Sequence, residues 1–145
     1  MGLSEFVMRM RLGSGLVLLV YVVAHLTNHT LGIVSLEAMN AGLALTIAPW
    51  RTLPGTIVLY GATGIHIATV AWSLYQRQTL RLAKWQLWQT ILGLTIPAVL
   101  AGHVVGTRGL HSFAGFESDY IVELTILWIT NPEFGALQVI ALIVV

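Results

Sequence analysis

The chain has 145 residues, of which 57% are hydrophobic and only 9% are charged. A globular domain in water carries about 25% charged residues, so this composition excludes an ordinary soluble domain. Seven Lys and Arg against six Asp and Glu give a net charge of +1, which offers no basic surface for nucleic acid. Because the chain has no cysteine, disulfides, zinc-thiolate sites and cysteine-ligated iron–sulfur clusters are excluded as well. Any metal chemistry must use histidines and the few carboxylates.

Three uncharged apolar runs are long enough to cross a bilayer, which takes about 20 helical residues. They cover residues 12–34, 55–75 and 85–106. A fourth run, 134–145, follows Thr130-Asn131-Pro132-Glu133, a sequence typical of a helix start. The pattern predicts an all-α, polytopic membrane helical bundle with three complete transmembrane helices and a truncated fourth. We treat 1–145 as a single membrane domain and expect it to belong to a longer chain, because the fourth helix would end inside the hydrocarbon.

The basic residues predict the orientation of these helices, because Lys and Arg collect in cytoplasmic loops. Five of the seven lie either before the first apolar run or between the second and third, whereas Arg51 and Arg108 lie on the other side. This distribution predicts a cytoplasmic N-terminus. Residues 35–49 are predicted to form an interfacial helix, because their apolar side chains recur at helical spacing. These side chains are Leu36, Met39, Leu43 and Ile47.

Four of the five histidines lie inside the apolar runs, where ionisable side chains are rare and usually functional. They are His25, His29, His66 and His103. His111 follows the third helix and is predicted to be a solvated loop residue. Neutral imidazole is a common metal ligand and suits the iron of haem, so the four histidines are candidate haem ligands. For each one taken alone, a hydrogen-bonded packing role is the simpler alternative.

At about 1.5 Å per helical residue, His29 and His103 lie at a shared depth near the outer face, and His66 lies near the midplane. We therefore predict that His103 and one of the pair His25/His29 bind an outer haem across a diagonal of the bundle. The two members of that pair lie about 6 Å apart on one helix face, so one is expected to ligate and the other to form a hydrogen bond. Depth slightly favours His29 as the ligand. The ligand opposite His66 is expected in the later part of the fourth helix.

Small residues near the histidines would give a flat macrocycle room to approach the backbone. They include Gly32, Gly102 and Gly106, together with a stripe on the second helix that is predicted to lie near the His66 side. The stripe contains Gly61, Gly64, Ala68 and Ala71. Ordinary helix packing explains such a stripe equally well. Pro97 is expected to bend the third helix. Arg108 is placed either to pair with a haem propionate or to anchor the helix in the headgroups.

Several motifs together resemble one known membrane module. They are Arg9-x-Arg11-x-Gly13-Ser14-Gly15-Leu16-Val17-Leu18, Ala24-His25-Leu26-x-Asn28-His29-x-Leu31-Gly32, Pro54-Gly55-Thr56 with Leu59-Tyr60-Gly61 and His66, and Ala101-Gly102-His103-Val104-Val105-Gly106-Thr107-Arg108. The chain resembles the six-helix, succinate-dehydrogenase-cytochrome-b-like membrane anchor of bacterial class III adenylate/guanylate cyclases. The resemblance implies two b-type haems in a bacterial inner membrane, with His25 or His29, His66 and His103 as ligands. It also implies a link between membrane redox or quinone state and a cytoplasmic cyclase domain.

The motifs and the composition are compatible with three functions from different classes. The first is a haem-b redox sensor or electron carrier coupled to a cyclase-type output domain, which would supply any catalysis. The second is a quinone-interacting cytochrome b subunit of an oxidoreductase, although the serine- and arginine-bearing quinone signature typical of such subunits is not evident. The third is a haem-free accessory subunit of a larger membrane complex. The expected partners are the lipid bilayer, other membrane subunits or a second copy of the chain, with quinone as a candidate ligand.

Overall fold

A computed structural model of the chain describes residues 2–77, 83–109, 113, 115 and 120–144, and this described part is all-helical apart from short turns. It divides into two compact units, Met1–Gln78 and Thr79–Val145. Three helices are long and apolar enough to cross a membrane: Leu3–Ile33, Leu53–Tyr75 and Lys84–Gly109. The prediction of an all-α chain with three membrane-length helices is therefore confirmed.

The first unit contains four helices and one short 3-10 turn. They are α1 (Leu3–Thr30), the 3-10 turn Leu31–Ile33, α2 (Leu36–Thr46), α3 (Ala48–Arg51) and α4 (Leu53–Tyr75). Helix α1 packs along α4, and α2 packs on the C-terminal part of α1. Helix α3 links α2 to α4 and contacts both.

Helix α1 begins at Leu3, nine residues before the predicted start of the first apolar run at Leu12. The prediction that Arg9 and Arg11 precede this helix is wrong, because both lie within it. Arg9 Nη2 lies 2.6 Å from Glu5 Oε1, so the two residues form an ion pair across one helical turn. Such a pair supports a helix, so the charges that mark the end of an apolar run do not mark the end of the helix.

The predicted helix after the first apolar run is confirmed as α2. Ser35 caps it, because its hydroxyl oxygen accepts a hydrogen bond from Ala38 N at 3.0 Å. Met39 and Ile47 are buried, and a Cβ at Gly42 would overlap side-chain atoms of Asn28 and Leu31 on α1. The apolar face of α2 therefore packs against protein. The helix ends at Thr46, before the predicted end at Pro49, and Pro49 lies in the first turn of α3.

The start of α4 depends on a close approach to α3. Thr52 Oγ1 accepts a hydrogen bond from Gly55 N at 3.2 Å, and Pro54 lies in the first turn. A Cβ at Gly55 would overlap the carbonyl oxygen of Pro49 and the Cα of Trp50. Only glycine therefore allows the backbones of α3 and α4 to approach this closely.

Among its described residues, the second unit has three helices and two π-helical turns whose two ends are both defined. They are α5 (Lys84–Val104), the π turn Val105–Gly109, α6 (Tyr120–Leu124), the π turn Thr125–Thr130 and α7 (Pro132–Val144). Helix α5 runs through Pro97 without a break and contacts α7. The predicted start of the fourth apolar helix is confirmed, because α7 begins at Pro132 with Glu133 in its first turn.

Candidate histidine sites

One face of α1 carries polar or ionisable side chains at alternating spacings of three and four residues, with Leu18 at the one position that is not polar. The polar members are Arg11, Ser14, Tyr21, His25 and Asn28. Ser14 and Asn28 are buried, whereas many large apolar side chains on the other faces of α1 are exposed. This arrangement is typical of a membrane helix, since lipid accepts apolar side chains and polar groups need partners inside the protein.

His66 on α4 lies against α1. Its Nδ1 atom lies 3.3 Å from Ser14 Oγ. The hydroxyl of Ser14 also lies 3.0 Å from the carbonyl oxygen of Arg11, and when it donates its single proton there, its Oγ atom accepts from the His66 tautomer that is protonated at Nδ1. In that tautomer the lone pair of Nε2 is left for another group. The ring also lies close to the backbone of Gly15, where a Cβ would be 3.3 Å from His66 Cε1.

A chain of hydrogen bonds continues from His66 along the interface between α1 and α4. Thr69 Oγ1 donates to the carbonyl oxygen of His66 at 3.0 Å, and Ser73 Oγ donates to that of Thr69 at 2.9 Å. The half-buried guanidinium of Arg11 donates to Ser73 Oγ and, at 3.4 Å, to the carbonyl oxygen of Thr69. Arg11 is therefore an interhelical contact that fixes the register of α1 on α4 close to His66.

The small-residue stripe of α4 does not lie on the His66 side, so that part of the prediction is wrong. At about 100° per residue, Gly64 is rotated roughly 160° from His66 around the helix. Gly61, Gly64, Ala68 and Ala71 are exposed within their unit. The small residue on the His66 side is the buried Ala62, one turn away.

His25 and His29 contact each other directly. Their Nε2 atoms are 3.2 Å apart, and the ring centroids are 4.6 Å apart with the planes nearly perpendicular at 86°. The His25 ring is stacked on Tyr21, with centroids 5.6 Å apart and an interplanar angle of 11°. Tyr21 in turn meets the indole of Trp50 edge-on at 5.4 Å. The two rings share a hydrogen bond, and which member ligates haem stays a prediction.

Gly32 lies against a side chain of α2. A Cβ at Gly32 would lie 3.0 Å from Met39 Sδ, so the space beside this glycine is filled by a side chain of α2. The expectation that Gly32 leaves room for a macrocycle is therefore wrong.

His103 and Arg108 belong to the second unit, at the C-terminal end of α5 and in the π turn that follows. Both side chains are half-buried, and the carbonyl oxygen of His103 accepts from Thr107 Oγ1 at 2.8 Å. A Cβ at Gly102 or Gly106 would meet nothing within 4 Å, so both glycines leave open space beside His103. His111 lies outside the described residues. The pairing of His103 with a histidine of the first unit stays a prediction.

The histidines of the first unit occupy two separate levels. Ser14, which contacts His66, lies 11 positions before His25, or about 16 Å along α1. His66 is two residues from the middle of α4, close to the predicted midplane. Among the described residues, no cluster of three or more His, Cys, Asp or Glu side chains could bind a metal ion.

Three residues near these sites were not predicted as part of them: Ser14 and Arg11 at His66, and Tyr21 at His25. The sequence does contain a signal that would have found them. Polar residues repeat along α1 with the three- and four-residue spacing usually searched for among apolar residues. In a membrane helix, that polar repeat indicates the face that packs on protein.

The fold and these histidines define an all-helical membrane-type chain with imidazoles at two levels of its first unit. Comparison with protein-family models, with characterised proteins and with solved structures finds no match to this chain. The resemblance to the cytochrome-b-like cyclase anchor therefore stays a prediction from the motifs.

Proposed function

We propose that this chain is the haem-b-binding membrane anchor of a redox-responsive or electron-carrying protein. The observation that carries the proposal is the contact between His66 Nδ1 and Ser14 Oγ at 3.3 Å. A metal-binding histidine usually donates its other ring N–H to a fixed acceptor, which sets the tautomer and the orientation of the ring. The contact of His66 Nδ1 with Ser14 Oγ supports such an arrangement, and Nε2 has no hydrogen bond in the part of the chain that is described.

Haem b would be bound at two levels in this proposal. His66 ligates one haem, with its second ligand from a segment outside the described residues. His103 and one of His25/His29 ligate the other, and Arg108 pairs with a propionate. Bound haem supplies one-electron redox chemistry. The protein contributes the orientation of each imidazole, and Ser14 does this for His66.

The output of the anchor is proposed from the motif resemblance. Redox or quinone state in a bacterial inner membrane would be passed to a cytoplasmic output domain of the cyclase type. The N-terminus would lie in the cytoplasm, and the chain would assemble with other membrane subunits or a second copy of itself.

A haem-free accessory subunit is the second candidate, because one observation favours it. Among the residues described in α5, none is buried within the second unit, and Trp85 and Trp88 are 65% and 63% exposed. A helix with this surface suits contact with lipid or with other membrane proteins. In this function His66 is a packing residue that is hydrogen-bonded to Ser14.

An absorption spectrum of the full chain, purified from haem-replete cells into nanodiscs, separates the two functions. The haem function predicts a Soret band and a reduced-minus-oxidised α band, and the accessory function predicts neither. His66→Leu should remove part of the haem, whereas His111→Ala should retain all of it. Haem content that is equal in the two variants would contradict the role of His66.

A further inference from the structure

The His25–His29 pair has the geometry of a bidentate metal chelate. The two histidines are four residues apart on one face of α1, a spacing that brings two imidazoles to one ion in helical metal sites. Two nitrogens bound to one tetrahedral ion, each at 2.0–2.1 Å, are about 3.3 Å apart. The Nε2 atoms of His25 and His29 are 3.2 Å apart, which is close to the separation that one shared ion requires.

We propose that His25 and His29 together bind a divalent transition-metal ion of the Zn²⁺ type through their Nε2 atoms. In the described structure one Nε2 donates a hydrogen bond to the other. When the ion binds, the donor ring takes the tautomer with its proton on Nδ1, and both Nε2 lone pairs point at the metal. Zn²⁺ is redox-inert and accepts a mixture of imidazole and water ligands, so water completes the coordination.

The position of the pair gives an ion access from water. His29 is one residue from the end of α1, and α1 with its 3-10 turn ends the membrane-length segment at Ile33. Tyr21 contacts both His25 and Trp50. Tryptophan and tyrosine are enriched where a membrane meets water. Tyr21 is a positioning residue, because its parallel ring holds His25 in place without contacting the ion.

This site would compete with one part of the proposed function and not with the rest. An ion on both Nε2 atoms leaves neither histidine for haem iron at the outer level. His66, about 16 Å further along the bundle, is not affected. Zn²⁺ binding is measured on haem-free protein, and haem binding by absorption of haem-loaded protein, so failure of one does not imply failure of the other.

The test is Zn²⁺ titration by calorimetry of the full chain in lipid nanodiscs, prepared without haem. We expect one Zn²⁺ per chain. Loss of a supporting group outside the ligand sphere costs roughly 10–100-fold in metal affinity, so His25→Ala and His29→Ala should each weaken binding at least that much. His111→Ala is the control and should bind as the wild type does.

A variant with a changed spacing tests whether Zn²⁺ binding depends on the positions of the two histidines or only on their number. His29→Ala combined with Thr30→His retains two histidines but rotates the second away from His25, and it should bind as weakly as His29→Ala alone. Tyr21→Ala should weaken binding, whereas Tyr21→Phe retains the stacked ring and should not.

X-ray absorption at the zinc edge identifies the ligands of Zn²⁺ in the wild-type protein. Because this measurement needs no substitution, a variant that fails to fold does not weaken the test. We expect two imidazole nitrogens at about 2.0–2.1 Å. Fewer than two imidazoles, no saturable binding, or full binding by either single histidine variant would overturn the proposal.

Discussion

His66 Nδ1 on α4 lies 3.3 Å from Ser14 Oγ on α1. The Ser14 hydroxyl also lies within hydrogen-bond distance of the carbonyl oxygen of Arg11, an arrangement that favours the His66 tautomer with its proton on Nδ1. The contact also joins the two long helices of the first unit near the middle of α4.

Replacing Ser14 with alanine should weaken haem binding at His66 while leaving the ligand itself in place. Loss of such a supporting group typically costs roughly 10–100-fold in metal affinity. Haem affinity and the reduction midpoint of the His66 haem are measured by titration and by spectroelectrochemistry. Thr63→Ala is the matched control, because the Thr63 hydroxyl bonds only the carbonyl oxygen of Leu59 in its own helix. Equal affinities in the two variants would argue against the role of Ser14.

Arg11 should matter more for stability than its neighbour Arg9. Arg11→Met removes charged hydrogen bonds to Ser73 and Thr69 across the helix interface, a loss of about 1 to 3 kcal/mol. Arg9→Met removes only the exposed pair with Glu5 on the same helix, worth roughly 0 to 0.5 kcal/mol. Unfolding of both variants in mixed micelles gives the comparison. A larger loss in Arg9→Met would show that Arg11 is not an interhelical contact.

The sequence predicted the helices well where composition alone decides. The three apolar runs and the start of α7 at Pro132 could be read from charge-free length and helix-start residues. The N-terminal limit of α1 could not, because Glu5 and Arg9 pair on the helix surface and extend it beyond the apolar run. The ends of an apolar run mark where lipid ends, and a helix can continue into water.

The candidate site was predicted less completely than the fold. The spacing of His25 and His29 was sufficient to place them on one helix face, because residues four apart are neighbours on any α-helix, but their direct contact was not predicted. The contact between Ser14 and His66 depends on the register between α1 and α4, which one sequence does not specify. For the same reason, the side of α4 that carries Gly61 and Gly64 was assigned wrongly. Depth along a helix follows from counting, but rotation about its axis depends on packing.

A side chain at position 55 should destabilise the first unit. Gly55→Ala places a Cβ on the backbone of Pro49 and Trp50, where no flexible side chain can yield. Overpacking of this kind costs about 1 to 3 kcal/mol. Gly61→Ala on the same helix meets nothing within 4 Å and is the control. Thermal unfolding of the two variants should separate them, and equal melting temperatures would refute the close approach of α3 to α4.

The orientation of the chain is testable because it has no cysteine. We expect a cysteine introduced at Gln76 to react from the cytoplasmic side and one at Glu37 to react from the opposite side. Both residues are exposed, at the C-terminal end of α4 and in α2. Labelling with a membrane-impermeant maleimide, on intact cells and on inverted vesicles, shows from which side of the membrane each cysteine reacts. Reaction of both positions from the same side would contradict the predicted topology.

We propose that membrane histidines of this chain ligate haem. The most direct test of this claim is the reduced-minus-oxidised absorption spectrum of the full chain from haem-replete cells, compared with His66→Leu, His103→Ala and His111→Ala. We expect a low-spin b-type spectrum that loses a separate component in each of the first two variants and none in the third. A wild-type chain without a Soret band, or an unchanged spectrum in both His66→Leu and His103→Ala, would contradict the claim.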